Sequence, residues 1–403
     1  MKRWIKISVG LILLAIISQV PFIYRRHQLA LLRDAIANLN VARNQSQNSG
    51  FVDYKGVMHV HSNLGGHSTG TLPEIVRAAE SEGLKFVVMT EHPSAEVDTA
   101  AQTLNGFHKG VLFVSGTEVS AQNGDRFLIP EGISTTEPLD RLSPSEIVRT
   151  AESQDRLVLV AYPKDYKSWD LGGFNGVEVY NMFPDAKAAN PILLLFDGLW
   201  SYRSFPDLLF ARIYSRPDRA LQLYDQSIQA QGRPLVLTAG IDAHQNIGFG
   251  LSDSSGKKFF YAQLDPYERS FSILRNHVLL EEGSVFDEAT LLAALKKGHS
   301  YIAFDFLCDP TGFFFGADAG DQHKIMGDEI PLSTNPRLNV KTPVKASISL
   351  LRDGQVVQKV EDNTNLEFTP TKSGTYRVEV TLPQLGDIVA HKPWIISNPI
   401  YVR

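Results

Sequence analysis

The stretch "MHVHSNLGGHSTGT", residues 58–71, holds His59, His61 and His67, three of the chain's eleven histidines. They are either metal ligands or ordinary loop histidines. His59 and His61 lie two apart on "GVMHVH" (56–61), a strand-like run. Side chains two apart on a strand share a face, so both imidazoles point the same way. One His-x-His pair is a weak signal. The rest of the chain strengthens it. Asp242-x-His244 repeats the spacing at the end of "PLVLTAGIDAH" (234–244), Glu118 follows "VSGT", and Glu91 and His92 end "KFVVMTEH" (85–92). Every one of these residues sits at the C-terminal end of a strand-like run. That is where α/β barrels and open sheets build their sites. Several strand ends supplying imidazole and carboxylate point to a metal centre of Zn, Mn or Fe. Glu118 is placed to bridge two ions, one on each carboxylate oxygen.

Outward from this stretch, strand-like and helical runs alternate. "LPEIVRAAESEG" (72–83) and "SPSEIVRTAESQ" (143–154) have helical periodicity, and the second opens with a Ser-x-x-Glu capping signal. "GVLFVSGTEVS" (110–120), "RLVLVAYP" (156–163) and "GVEVYN" (176–181) are strands, and a helical stretch covers roughly 186–232. Repeated strand–helix units predict parallel strands in an α/β barrel or open sheet. After a helix at 287–298 the pattern becomes short alternating strands with turns, including Asp353-Gly354, as in a β-sandwich. The chain divides into 1–50, 51–308 and 309–403. The acidic stretch 312–329 lacks calcium-loop spacing and is expected to be a turn joining domains.

A length of 403 residues suits two or three domains. The single cysteine, Cys308, excludes an intrachain disulfide and a cysteine-based zinc site. A net charge of −5 argues against a general nucleic-acid binder. "MKRWIKISVGLILLAIISQVPFIYRR" has a basic start and a mostly apolar run of near-spanning length, with no small-x-small cleavage site. It reads as an uncleaved membrane anchor with the bulk of the chain outside the cytoplasm. Leu29, Leu32, Ile36 and Leu39 predict one short amphipathic helix packed on the main domain, and "NQSQNSG" (44–50) reads as a linker.

The run "HVHSNLGGHSTGTLPEIVRAAESEGLKFVVMTEH", followed by "GTEVS", "VAYP", "GVEVYN" and "GIDAH", resembles the polymerase-and-histidinol-phosphatase (PHP) domain over roughly residues 51–300. The segment order and the "SNPIYV" ending look most like its carbaryl-hydrolase-type members. The resemblance implies a distorted (β/α)7 barrel and a metal-dependent hydrolase, chiefly a phosphoesterase. It implies that His59, His61, Glu118 and Asp242 hold one metal, and that His67, His92 and His244 hold another. Two positions depart from the family. Tyr162 stands where a histidine is usual, and Asn181 falls where a further ligand is usual. Both would serve a third metal, so that site is expected to be degraded and two ions to remain. Ser68 also stands where many relatives carry aspartate. The implied reaction is attack by a metal-bound water on a small phosphoester or related ester, with Glu118, Asp242 and Tyr162 as the catalytic candidates. Tyr162 either donates to developing charge or fills the space of the lost ligand. Arg126 and Lys164 are candidate phosphate contacts, though surface roles are commoner. The segment 191–226, with Trp200, Arg203, Arg212 and Arg216, is either a lid or a pair of packing helices. A metal-stabilised binding or scaffold protein is the alternative to an enzyme.

Overall fold

The computed structural model describes all residues except 1, 45–49, 95–96, 183, 185–189, 253–257 and 264. Most of the linker reading at 44–50, and the start of the helical reading at 186–232, lie outside the described residues. Short apolar runs become strands where both faces are covered. Phe51–Val60 (β1), Phe86–Met89 (β2), Gly106–His108 (β3) and Val111–Val114 (β4) form one end of a large sheet. In it β1 pairs in parallel with β2, and β2 with β4. A second sheet runs in the order Gly116–Ser120 (β5), Arg126–Pro130 (β6), Leu159–Ala161 (β7), Gly176–Asn181 (β8), Val236–Gly240 (β9).

The second sheet corrects the expectation of uniformly parallel strands. β7, β8 and β9 are parallel, but β6 is antiparallel to both β5 and β7. The cause is the turn around Asn123-Gly124, where Gly124 adopts φ +86°. Asn-Gly is a strong short-range hairpin signal, and here it returns the chain without a helix. Isolated bridges Val60↔Ala243 and Glu91↔Thr117 join the two sheets. The ends of β1, β2, β5 and β9 therefore converge.

Gly248–Ser252 (β10) and Lys258–Gln263 (β11) form a separate hairpin. Arg275–Glu281 (β12) and Ser300–Ala303 (β13) extend the large sheet from β1. The tail adds Phe314–Ala319 (β14), Gln322–Ile325 (β15), Glu329–Ile330 (β16), Arg337–Arg352 (β17), Gln355–Phe368 (β18), Gly374–Thr381 (β19), Pro393–Ser397 (β20) and Ile400–Val402 (β21). Asp353 and Gly354, both at positive φ, turn β17 into β18. Residues 312–329 correct another expectation. They form the β14–β15 hairpin rather than a turn between domains. β20 pairs with β13, so backbone pairing continues across residue 308 from the first unit into the tail.

The helices are Lys2–Val41 (α1), Leu72–Ser81 (α2), Thr99–Gln102 (α3), Pro144–Ser153 (α4), Pro191–Ser201 (α5), Asp218–Gln231 (α6), Tyr267–Ile273 (α7) and Glu288–Lys297 (α8). Capping boxes start α2 (Thr71, Glu74) and α4 (Ser143, Glu146), satisfying amide donors that a helix start leaves free. α1 is one continuous helix that accommodates Pro21, where two segments were expected. Its first part is exposed and apolar, long enough to cross a membrane. Its second part buries Leu29 and Leu32 in the core.

β9 has β8 on one side and three side chains on the other. The Tyr401 hydroxyl accepts from the Leu235 amide and donates to its carbonyl. The Asn398 amide does the same for Leu237, and the Asn276 amide for Ala239. A free strand edge is thus closed by side chains that imitate a neighbouring strand.

Candidate metal centre

His59, Tyr162 and Asp242 adopt φ of 66°, 47° and 49°, a region non-glycine residues rarely enter. Each such residue costs roughly 1–3 kcal/mol, and such strain gathers at functional sites. His59 lies where the β1–β2 register slips between Met58 and Val60. The two histidines are therefore aimed by an irregularity, not by the simple strand alternation expected. Their ring centroids are 5.1 Å apart. β9 ends at Gly240, and Asp242 and His244 lie just beyond it. That loop is pinned by Ile241 N–H to Met58 O, Ala243 N–H to His59 O and His61 N–H to Ala243 O. A side chain at Gly240 would overlap Glu178 and come within 2.9 Å of His59 Cβ.

His59 is fully buried. Its Nδ1–H donates to Glu178 Oε1 at 2.5 Å. Its Nε2 faces Glu118 Oε2 at 3.1 Å and Asp242 Oδ1 at 3.4 Å. His61 Nε2 faces the same two oxygens at 3.3 and 3.6 Å. Because the His59 proton is held on Nδ1, a neutral His59 turns the Nε2 lone pair toward these carboxylate oxygens, which favours a positive charge between them. Both nitrogens of His61 and Asp242 Oδ1 are buried without a hydrogen-bond partner. Unpaired buried polar atoms are costly, and a cation is one thing that satisfies a set like this. The donor set of imidazole and carboxylate fits a divalent transition ion.

The electrostatics say the same. Burial opposes charge on His59, but Glu178, Asp242 and Glu118 outweigh it and raise its pKa well above the usual value. His61 is raised too, its burial overcome by Asp242 and Glu118. Burial alone would push Glu118 and Asp242 up, yet the histidines hold both below the usual carboxylate range. The cluster demands compensating charge, which either imidazolium or a bound cation provides.

His61, His92 and His244 form a second ligand-capable group. Their rings stack, with His61 4.6 Å from His92 and 4.3 Å from His244. Burial lowers the pKa of His92 to about 4, and burial with His61 lowers that of His244. Both are thus kept as neutral, ligand-ready imidazoles. His92 Nε2 is also 3.6 Å from Glu118 Oε2. His67 is exposed at the rim, its ring 4.7 Å from His92. The seven sequence-predicted ligands thus meet around one centre. His61 sits between the two groups instead of within one, and His67 is the outermost.

Tyr162 and Asn181 occupy the flank beside Asp242. The Tyr162 hydroxyl donates to Asp242 Oδ2 at 2.5 Å, and Asn181 Nδ2 lies 3.1 Å from Glu178 Oε2 and 3.4 Å from Asp242 Oδ2. The Arg126 guanidinium stacks over the Tyr162 ring at 4.9 Å and reaches Glu118 Oε1 at 3.4 Å. Lys164 borders a cavity of about 240 Å³ beside Tyr162 and Glu178. A larger cleft of about 830 Å³ opens onto His67, His92 and Glu118.

Other residues hold these in place. Glu91, at a strand end, is no ligand here: its oxygens accept from Ser62 N–H, Ser62 Oγ–H and Thr103 Oγ1–H. Ser68 Oγ donates to His244 O at 2.6 Å, and Tyr267 donates to His61 O. Sequence reasoning missed Glu178 and Tyr267. A glutamate in the fully buried strand "GVEVYN" is itself a signal, because such a charge needs a partner. Tyr267 has no comparable signal. Arg216 is paired with Glu379 and is not directed at the centre.

No family model matches the chain, and no curated protein matches it. Among solved structures it is similar to a two-domain protein from Bacteroides vulgatus containing a predicted PHP-like metal-dependent phosphoesterase. Identity is 16%, coverage 89% of this chain and 98% of the other, and the TM-score 0.41. It is also similar to PsfC from Pseudomonas syringae (13% identity, 62% and 91% coverage, TM-score 0.36). A third similar structure is a Bifidobacterium adolescentis protein proposed to be a metal-dependent phosphoesterase (12%, 60% and 95%, 0.31).

Proposed function

We propose that the chain is a membrane-anchored, metal-dependent hydrolase of the PHP type that cleaves a phosphoester or related ester with two divalent ions. The observation that carries this reading is the convergence of buried, unpartnered ligand atoms, His61 Nε2 and Asp242 Oδ1, beside His59 and Glu118. His59, His61, Glu118 and Asp242 would hold one ion, and His92, His244 and His67 the other, with Glu118 near both sets. When bound, the ions supply Lewis acidity and make water acidic near neutral pH. The chain's own groups do the rest. Glu178 fixes the His59 tautomer by accepting a hydrogen bond from Nδ1–H, leaving Nε2 free to ligate. Burial, with Asp242 and Glu118, raises the Tyr162 pKa, so it stays a phenol and a hydrogen-bond donor. Arg126 is half-exposed beside Glu118 and offers a cation to an anionic ester.

In this reading Tyr162, Asn181 and Arg126 account for the expected loss of the third metal. Tyr162 and Asn181 fill its flank, and Arg126 brings a fixed positive charge to the outer oxygen of Glu118. In this reading residues 51–308 carry the catalysis, 309–403 form a β-domain, and the bulk of the chain lies outside the cytoplasm.

The test is to purify the full chain in detergent, measure bound metal, and assay model phosphodiesters and carboxylic and carbamic esters with Mn or Zn. Absence of both metal and turnover would end the proposal. A scaffold role is favoured by one observation, the Tyr162 hydrogen bond that already occupies Asp242 Oδ2. Asp242→Asn separates the two readings, abolishing turnover in an enzyme and changing only stability in a scaffold. Tyr162→His adds a reading of the third site. One more bound ion per chain is expected, and an unchanged metal count would refute that account of the flank.

A further inference from the structure

α5 is built inside out. Its one charged residue, Asp197, is buried and paired with Arg25 of α1, and Ser201 is fully buried. Its apolar residues face the other way: Ile192, Leu193, Leu195 and Leu199 are 65, 42, 59 and 72% exposed. A helix on a water-facing surface has the opposite arrangement. A contiguous exposed apolar face marks a contact with something apolar.

The position of α5 says what that is. Trp4 and Tyr24 lie 20 residues apart on α1, which at helical rise is about 30 Å, the thickness of a bilayer's hydrocarbon core. Aromatic residues favour the two membrane–water boundaries, and arginines follow directly at 25 and 26. α5 packs at that second boundary. Phe196 stacks on Phe22 at 4.8 Å, and Trp200 Nε1 donates to Gln19 Oε1 at 3.0 Å. Arg26 donates to the Trp200 carbonyl and to Ser204 Oγ. If α1 spans the bilayer to Tyr24, a helix touching Gln19 and Phe22 lies at the level of the acyl chains and headgroups. Its outward side chains have no water-filled surface to face.

We infer that α5 is a second membrane contact, lying in the interface with Ile192, Leu193, Leu195 and Leu199 among the lipid chains. The inference rests on the anchor reading of α1 and goes beyond it. The span alone is a tether, whereas span and interfacial helix together fix how the site-bearing body sits on the membrane. The Arg25–Asp197 pair and the Arg26 hydrogen bonds lock the two helices into one unit.

The experiment places an environment-sensitive fluorophore on Leu195→Cys and, separately, on Leu199→Cys in the full chain. Exposed Val356→Cys, on the β17–β18 hairpin, is the control. Cys308 is buried and need not be removed. Each labelled chain is reconstituted in vesicles of phosphatidylcholine and phosphatidylglycerol, with or without bromine on the acyl chains. Vesicle flotation is measured on the same samples. The expected result is flotation of all three, with fluorescence at 195 and 199 quenched about twofold or more by brominated lipid and no quenching at 356. A chain that floats with 195 and 199 unquenched overturns the inference and leaves the anchor standing. Blue-shifted but unquenched probes would mean that protein, such as a second copy, covers the face, which also overturns it. A chain that fails to float removes the anchor reading and this inference together.

Discussion

Glu178→Gln tests whether the buried carboxylate behind His59 serves the metal. The substitution keeps the shape of the side chain and removes its charge. Glu178 lies 2.5 Å from His59 Nδ1 and 3.1 Å from Asn181 Nδ2, with no exposure to solvent. A hydrogen bond to a charged group contributes about 1.5–3 kcal/mol and a neutral one about 0.5–1.5, so the change removes about 1–2 kcal/mol from the His59 interaction. That energy holds Nε2 toward Glu118 and Asp242, so its loss appears as weaker metal binding. At about 1.4 kcal/mol per tenfold, affinity falls roughly 5–30-fold, near the usual effect of a residue that orients a ligand. The assay is competition for Mn or Zn against a fluorescent chelator, with the full chain in detergent. An affinity within about twofold of the parent would refute the argument. It would mean that the strained backbone at His59 alone sets the ring.

Three other changes probe the surroundings. Gly240→Ala adds one methyl where Glu178 and His59 meet, and should lower metal affinity at least as much as Glu178→Gln; competition titration would expose a tolerated alanine. Asn398→Ala leaves the amide and carbonyl of Leu237 without partners, and should cost about 2–4 kcal/mol in denaturant unfolding. A loss below about 0.5 kcal/mol would show that water or a shifted strand takes over. His277 is buried between Asp53 and Asp305; burial opposes its charge, but those carboxylates raise its pKa to about 10. Because the folded value lies above the unfolded value of 6.5, the stabilisation is fully present below pH 6.5 and is lost as pH rises through 10. Unfolding midpoints measured across that window should fall, and should fall less in His277→Gln.

The candidate ligand residues were legible because polar residues at the ends of apolar runs are conspicuous, and Asp242-x-His244 repeats the spacing of His59-x-His61. Their aim was not legible. It comes from positive φ at His59 and Asp242 and from a slipped register, which depend on the closed structure rather than on strand alternation. Glu178 was passed over because its partner lies 119 residues away. The capping signals at Ser143 and Glu146 are local and read directly. The β5–β6 hairpin was also local, at Asn123-Gly124, but the assumption of strand–helix alternation hid it. α1 was split in two at its arginines, yet nothing from Arg25 to Gln28 breaks a helix and Pro21 is accommodated within it.

The side chains closing the edge of β9 also bear on when the centre can exist. Asn398 and Leu237 are 161 residues apart. During synthesis Asp242 leaves the ribosome long before Asn398 and Tyr401 are made, so for that interval β9 lacks two of its three edge partners. The strand that leads to Asp242 and His244 therefore lacks its full edge until residues 393–402 have arrived. The candidate centre is then completed only after the tail has been laid down.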